Sequence, residues 1–178
     1  EYTVVDGPWN NRDHLLVDRA NFVEARLEAP LKLPRRFDLA VCLEVAEHVR
    51  GESAGTVVES LCNASDVVVF GAAIPYQGGF GHINEQWPSW WRPFFEAQGY
   101  RPYDLVRPRH WNDRAIHYWY RQNIFVYVRD ANAGASRIAA AAEQATSGAL
   151  FDAVHPEKFE EVRSEERRVG KECTSWCR

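Results

Sequence analysis

Phe37 to Val49 reads FDLAVCLEVAEHV. Its first half, Phe37 to Leu43, is an apolar run broken only by Asp38, the pattern of a strand covered on both faces. Its second half carries Glu44, Glu47 and His48 at positions i, i+3 and i+4, which a helix starting near Glu44 would place on one face. Working outward, Ala54 to Leu61 reads as a short helix and DVVVFGAAI (Asp66 to Ile74) as a second fully buried strand. Upstream, Tyr2 to Val5 is a short β-branched run closed by Asp6-Gly7, a strand-then-turn signal, and Asn21 to Leu27 alternates like a strand. Downstream come a Gly-rich loop (Pro75 to Gly81) and a helical stretch from Gln86 to Gln98 with recurring Trp and Phe. A strand at YRPYDLVRP, a polar-aromatic insertion (Arg109 to Asn123), a closing strand (Ile124 to Asp130) and an Ala-rich helix (Ala131 to Ala149) complete the chain. Strands alternating with helices define an α/β class with a mainly parallel sheet. Ligands of such sheets bind at the carboxyl ends of the strands.

The 178 residues suggest one domain, with a net charge of −4 and no long basic run before the last residues. That balance argues against a nucleic-acid backbone as main partner. No run reaches membrane-spanning length and no signal peptide opens the chain. Cys42 and Cys62 sit in apolar runs as reduced core residues, so a cytoplasmic setting is expected. The domain is expected over residues 1–130, with a helical extension over 131–162. The chain has no Met, so Glu1 is not expected to be a natural start. RSEERRVGKEC (Arg163 to Cys173) resembles translated sequencing-adapter read-through, so residues 163–178 are set aside as a non-native tail.

Two readings stand at each strand end. Asp6 can bind a ribose diol or simply cap its turn. Glu44, Glu47 and His48 can form half of a divalent-metal site or favour a helix N-terminus electrostatically. His82, after YQGGFG, can be a general base or a fourth metal ligand, and Glu85 is a second candidate base. The neighbouring Asn84 is expected to cap the helix starting near Gln86. Trp111, Tyr118, Trp119 and Tyr120 can wall a pocket or bury an aromatic face on the sheet.

FDLAVCLEVAEHV, followed by DVVVFGAAIP and GHINEQWPSWWRPFFEAQGY, resembles the class I S-adenosylmethionine-dependent methyltransferases over Tyr2 to Asp130. The resemblance implies a Rossmann-like sheet flanked by helices, mainly parallel with one antiparallel strand, which YRPYDLV and NIFVYV would close. It implies S-adenosylmethionine as methyl donor and a small-molecule acceptor, with a hydroxyl as the expected nucleophile. By position, Asp6, followed by Gly7, would hold the ribose hydroxyls. The segment at Arg26 and Leu27 would meet the adenine edge, where Arg26 departs from the usual acidic residue. Leu43 and Glu44 would line the floor beneath the methionine part.

Members that methylate a ribose hydroxyl or a catechol-like diol carry Glu-x-x-Glu-His and a later His, which bind a divalent cation. Glu44, Glu47, His48 and His82 match that pattern, implying Mg²⁺ or Mn²⁺. His82 cannot be both ligand and base.

The family's first strand and its Gly-rich loop would precede Glu1, so the first strand is expected to be missing from the sheet. It would lie between the strands at Tyr2 to Val5 and Phe37 to Leu43. Its loss removes four or five doubly buried side chains at ~2 kcal/mol each, roughly 8–10 kcal/mol. A whole domain is stable by only about 5–15 kcal/mol. The chain alone is therefore expected to be unstable and to bind S-adenosylmethionine weakly or not at all. Two other classes remain: an NAD-binding dehydrogenase, which lacks a Tyr-x-x-x-Lys pair here, and a non-catalytic module binding through Trp87 to Trp91 and Trp111 to Tyr120.

Overall fold

The computed structural model describes residues 1–131, 134, 137–138, 140–141 and 151–164. Strands β1 (Val4–Asp6) and β2 (Phe22–Glu24) pair in parallel, Val4 opposite Phe22. A separate four-stranded sheet holds β3 (Ala40–Leu43), β4 (Val67–Gly71), β5 (Tyr100–Tyr103) and β6 (Phe125–Arg129) in the order β3-β4-β6-β5. β3 and β4 are parallel, and β6 runs antiparallel to both β4 and β5. The expected mixed α/β sheet with one antiparallel strand is therefore present. It stands apart from β1 and β2.

Helix α1 (Ala54–Ala64) follows β3. Its buried Ala54, Val57, Val58 and Cys62 recur at three and four, one stripe facing the sheet. Helix α2 (Pro88–Glu96) starts with Pro88 at its first turn, where the missing N–H has no helical partner to lose. Its Trp91 and Phe95, one turn apart, are buried. Gly99 ends this segment at φ +76, the left-handed conformation that closes helices. Phe70 of β4 packs edge-on against Trp91 and Phe95 at 5.1 and 5.2 Å between ring centres, and Phe95 stacks on Tyr127 of β6 at 3.7 Å. The Tyr100 hydroxyl donates to the carbonyls of Cys62 and Ser65, tying β5 to the end of α1.

Several boundaries differ from those read in the sequence. Phe37 makes only an isolated bridge to Ser65, and the regular strand begins at Ala40. The insertion folds as two short helices, α3 (Arg107–His110) and α4 (Tyr118–Asn123). Ala46–His48 is a single 3-10 turn. Asn84 does not cap α2: Trp87 holds the cap position without a side-chain bond, and the Asn84 carbonyl accepts from the Gln86 amide instead.

Residues 156–164 form a closing helix. Segment 151–164 packs on the sheet: Phe151 stacks on Phe125 at 4.3 Å, and the His155 N–H donates to Gln122. Arg163 and Ser164 end that helix, whereas most of the Ala-rich stretch and residues 165–178 fall outside the described residues. Among the described residues no helix is long and apolar enough to cross a membrane.

Candidate active site

The carboxyl ends of β3 and β4 carry two acidic residues with different surroundings. Glu44 follows β3 at φ +52, a backbone region that residues other than Gly rarely adopt. Its N–H donates to the Gly71 carbonyl of β4 at 2.9 Å, so the turn out of the strand happens at this residue. Its carboxylate accepts from the Gln77 amide at 2.6 Å and from the Asn123 amide at 2.9 Å. Both oxygens are thereby occupied, and Glu44 does not lie on one face with Glu47 and His48.

Glu47 has no solvent exposure, and neither carboxylate oxygen has a hydrogen-bond partner. Burial pushes its carboxyl up to about 7. The Glu44 charge adds to the shift, while His82 and the nearby amides of Glu47 and Ala73 oppose it without forming bonds of normal geometry. A buried carboxylate without partners is costly, so it marks a place where a further group belongs.

The loop after β4 is sewn to this turn. The Glu47 carbonyl accepts from the N–H groups of both Ile83 and Asn84 at 3.0 Å. The Gly81 carbonyl accepts from His48 Nδ1 at 3.1 Å. Glu85 Oε1 accepts from His82 Nδ1 at 2.9 Å and from the Gly78 N–H at 2.7 Å, and its Oε2 accepts from the Tyr76 N–H. Glu85 is thus fully engaged in holding the loop and orienting His82. A carbonyl or carboxylate facing Nδ1 fixes that nitrogen as the N–H donor, which leaves a lone pair on Nε2 of each imidazole. His82 Nε2 stands 3.8 Å from Glu47 Oε1, beyond hydrogen-bond reach. The two rings meet edge to face at 4.9 Å.

Ligand atoms of Glu47, His48 and His82 all lie within 4.8 Å of one another. Two imidazoles with oriented tautomers and an unpartnered carboxylate fit a divalent cation. Of the four ligands matched in sequence, the structure brings these three together and turns Glu44 away.

A cavity of about 870 Å³ lies between β1 and β3, lined by Val4, Val5, Leu27, Ala40, Val41 and Leu43 among others. Asp6 and Gly7 follow Val5 at its carboxyl end. Asp6 Oδ1 accepts from the Gly7 N–H at 2.6 Å, leaving the second oxygen for a ligand. The Trp9 ring lies on Gly7, where a side-chain carbon would come within 2.1 Å of it. Arg26 sits over that ring at 5.6 Å rather than reaching toward a ligand edge. The cavity's walls at Leu27 and Leu43 are apolar, and Asp6, one residue beyond Val5, is not among the residues that line it.

Sequence reasoning missed Gln77, Asn123 and Lys158 as neighbours of the site, and named Tyr118 only as a candidate pocket wall. Tyr118 donates to Glu161 at 3.0 Å, and Lys158 donates to the Gln77 carbonyl at 2.7 Å. Burial pushes the Tyr118 phenol up, with Glu161, Glu44 and Glu85 adding to it. No periodicity could reveal these contacts, because they span 43 or more residues. The aromatic segments of the binding-module reading are mostly turned inward: Trp91 and Tyr118 are buried, and Trp111 packs on His155 at 4.6 Å.

No family model matches the chain, and no curated protein does. Solved structures similar to it include magnesium protoporphyrin IX methyltransferase (ChlM) from Synechocystis PCC 6803 with bound SAM, at 17% identity and TM-score 0.43, covering 62% of this chain and 46% of that one. The same enzyme with bound SAH aligns at 16% identity and TM-score 0.45, covering 62% of this chain and 51% of that one. A LepI variant in complex with SAH and a substrate analogue aligns at 11% identity and TM-score 0.42, covering 65% of this chain and 32% of that one. The chain thus spans about half the length of ChlM or less.

Proposed function

We propose that this chain carries the acceptor-side machinery of an S-adenosylmethionine-dependent methyltransferase acting on a hydroxyl of a small molecule. The observation that carries the reading is the unpartnered Glu47 carboxylate facing two oriented imidazoles at the carboxyl ends of parallel strands. Asp6 at the end of β1 and the antiparallel β6 beside β4 support it, since both match what the sequence motifs imply.

Bound at the cavity, the methyl donor would supply an electrophilic carbon on a sulfonium. Asp6 would accept from its ribose hydroxyls, and Leu27 and Leu43 would pack on its apolar parts. The acceptor oxygen would attack the methyl carbon in line with the departing sulfur, one C–O bond forming as one C–S bond breaks. The hydroxyl proton must leave.

Glu85, holding Nδ1, leaves the His82 Nε2 lone pair able to take that proton. A cation at Glu47, His48 and His82 would instead lower the hydroxyl's pKa directly and occupy that lone pair. Two nitrogens and one oxygen suit Mn²⁺ better than Mg²⁺, which prefers all-oxygen surroundings.

Calorimetric titration of S-adenosylmethionine into the full-length protein tests the reading. Micromolar saturable binding is expected. A well-folded protein that binds none refutes it. Mn²⁺ content measured on His82→Ala then separates the two roles: the cation is lost if His82 is a ligand and retained if it is the base.

A further inference from the structure

Lys158, on the closing helix of residues 156–164, reaches the loop that carries His82. Its Nζ donates to the Gln77 carbonyl at 2.7 Å and to Glu161 Oε2 at 3.1 Å, and only 13% of its side chain is exposed. Fixing a lysine costs much rotamer freedom, and lysines are seldom this buried, so the position needs a reason. Anchoring the helix is not a sufficient one. Arg121 donates to Glu157 at 2.7 Å, the Tyr118 hydroxyl to Glu161 at 3.0 Å and the His155 N–H to Gln122 at 2.6 Å, all without Lys158.

The Gln77 carbonyl and the Gly78 N–H belong to the same peptide unit, and in a trans peptide they point in opposite directions. Lys158 holds the carbonyl end, and Glu85 Oε1 accepts from the N–H end at 2.7 Å. The same Oε1 accepts from His82 Nδ1 at 2.9 Å. Ammonium, peptide, carboxylate and imidazole thus form one continuous chain of hydrogen bonds. Sterics do not fix that peptide plane on the Gly78 side. Gly78 stands at φ +74, a glycine takes either sign of φ freely, and a side-chain carbon built there would meet no atom within 4 Å. The bonds at its two ends hold the plane instead.

We infer that Lys158 is a positioning residue for the candidate active site: through the Gln77–Gly78 peptide and Glu85 it fixes the tautomer of His82 and the direction of its Nε2 lone pair. The use made of that lone pair rests on the methyltransferase reading, whereas the linkage itself does not. A charged donor on the carbonyl polarises the peptide, and hydrogen bonds in series strengthen one another, so the Gly78 N–H binds Glu85 more firmly than an isolated amide would. That bond fills one lone-pair site of Oε1 and turns the carboxylate so that another faces Nδ1. The bond made by one imidazole nitrogen decides which nitrogen carries the proton, so an Nδ1–H directed at Glu85 keeps Nε2 unprotonated. Taking a proton and holding a cation both need that lone pair. Without Lys158 the peptide is free to rotate, which carries the Gly78 N–H off Glu85 and lets the carboxylate turn.

The test is made in the full-length protein with Lys158→Met, which keeps the apolar stem and removes the ammonium, and with Lys158→Arg, which returns a charged donor. ¹⁵N NMR of the imidazoles at pH ~9, where histidines are neutral, reads the tautomer with no ligand present. His82 of the parent is expected almost wholly in the Nδ1–H form, Lys158→Met in a mixture of both forms, and Lys158→Arg close to the parent. The Gly78 amide is expected to exchange with solvent ~10-fold faster in Lys158→Met. Mn²⁺ should bind that variant ~10-fold more weakly, as when an outer partner of a metal ligand is lost. S-adenosylmethionine affinity should not change, since Lys158 does not line the cavity. An unchanged tautomer and unchanged Gly78 exchange in Lys158→Met overturn the inference. A change that Lys158→Arg fails to reverse also overturns it, by assigning Lys158 to packing alone. If Lys158→Met does not fold, Lys158→Gln, which still hydrogen-bonds Glu161, carries the same expectations. A parent that binds neither Mn²⁺ nor S-adenosylmethionine, beside a tautomer shift in the variant, refutes the methyltransferase reading and supports the linkage. A parent that binds both, beside a variant with no shift, does the reverse.

Discussion

Glu44→Gln replaces one oxygen of a carboxylate by an NH₂ group of nearly the same size, and the surrounding amides cannot turn to accommodate it. Gln77 donates to Glu44 Oε2 while its own oxygen accepts from the Ile74 N–H and from Asn123. Asn123 donates to Glu44 Oε1 while its oxygen accepts from Gln122. Gln122 is fixed in turn, because its oxygen accepts from the His155 N–H at 2.6 Å. Every amide in the chain is oriented by the next, so the new NH₂ must face a donor. One charge-assisted bond, worth about 1.5–3 kcal/mol, is lost, and a buried donor is left without an acceptor at about 1–3 kcal/mol. The expected destabilisation is about 2.5–6 kcal/mol, measured as a shift in urea midpoint at unchanged slope. Glu44→Gly loses both bonds and recovers about 1–2 kcal/mol from relief of the left-handed backbone. A double-mutant cycle with Gln77→Ala should give a coupling of about 1.5–3 kcal/mol. A Glu44→Gln protein within about 0.5 kcal/mol of the parent would refute the claim that this network is fully pinned.

The Glu47 carboxyl is raised to about 7 from an ordinary 4.5, so its proton favours the folded state. In chelator-containing buffer, stability should be complete below about pH 4.5, fall by roughly 3 kcal/mol as pH rises through about 7, and then level off. Glu47→Gln should flatten that profile, and denaturation at stepped pH measures both. A side-chain carbon at Gly79 would come within 2.4 Å of His82 Nε2, on a backbone at φ +151. Gly79→Ala should weaken Mn²⁺ binding by ~10-fold or more by displacing that imidazole, with circular dichroism unchanged. Burial pushes the Cys42 and Cys62 thiols up to about 12. Both should resist a disulfide reagent in the native protein and react promptly in urea.

The core strands were legible because burial on both faces leaves a mark in composition. Val67–Gly71 and Phe125–Arg129 are apolar without alternation, and β6 is buried along nearly its whole length. Helices α1 and α2 were legible because their buried residues recur at helical spacing. Segment FDLAVCLEVAEHV misled at one point, and for a local reason. The i, i+3, i+4 rule assumes helical backbone from Glu44 onward, whereas Glu44 takes a left-handed conformation and Ala46–His48 is only a 3-10 turn. That single reversal sends two acids from one motif to different neighbours. Glu44 meets amides contributed by the Gly-rich loop and α4, and Glu47 meets His82.

The backbone also explains why the loop carrying His82 could be placed by sequence only loosely. Its position is set by the Glu47 and Gly81 carbonyls and by the Glu85 staple. Bonds to main-chain groups leave no signature in residue type. What the sequence could specify was which side chains would be available at the strand ends. Which of them converge was decided by one residue's φ angle and three main-chain contacts. The same division holds at β3, whose apolar composition reads as a strand covered on both faces, whereas it lies at the edge of its sheet with Leu39 and Val41 exposed.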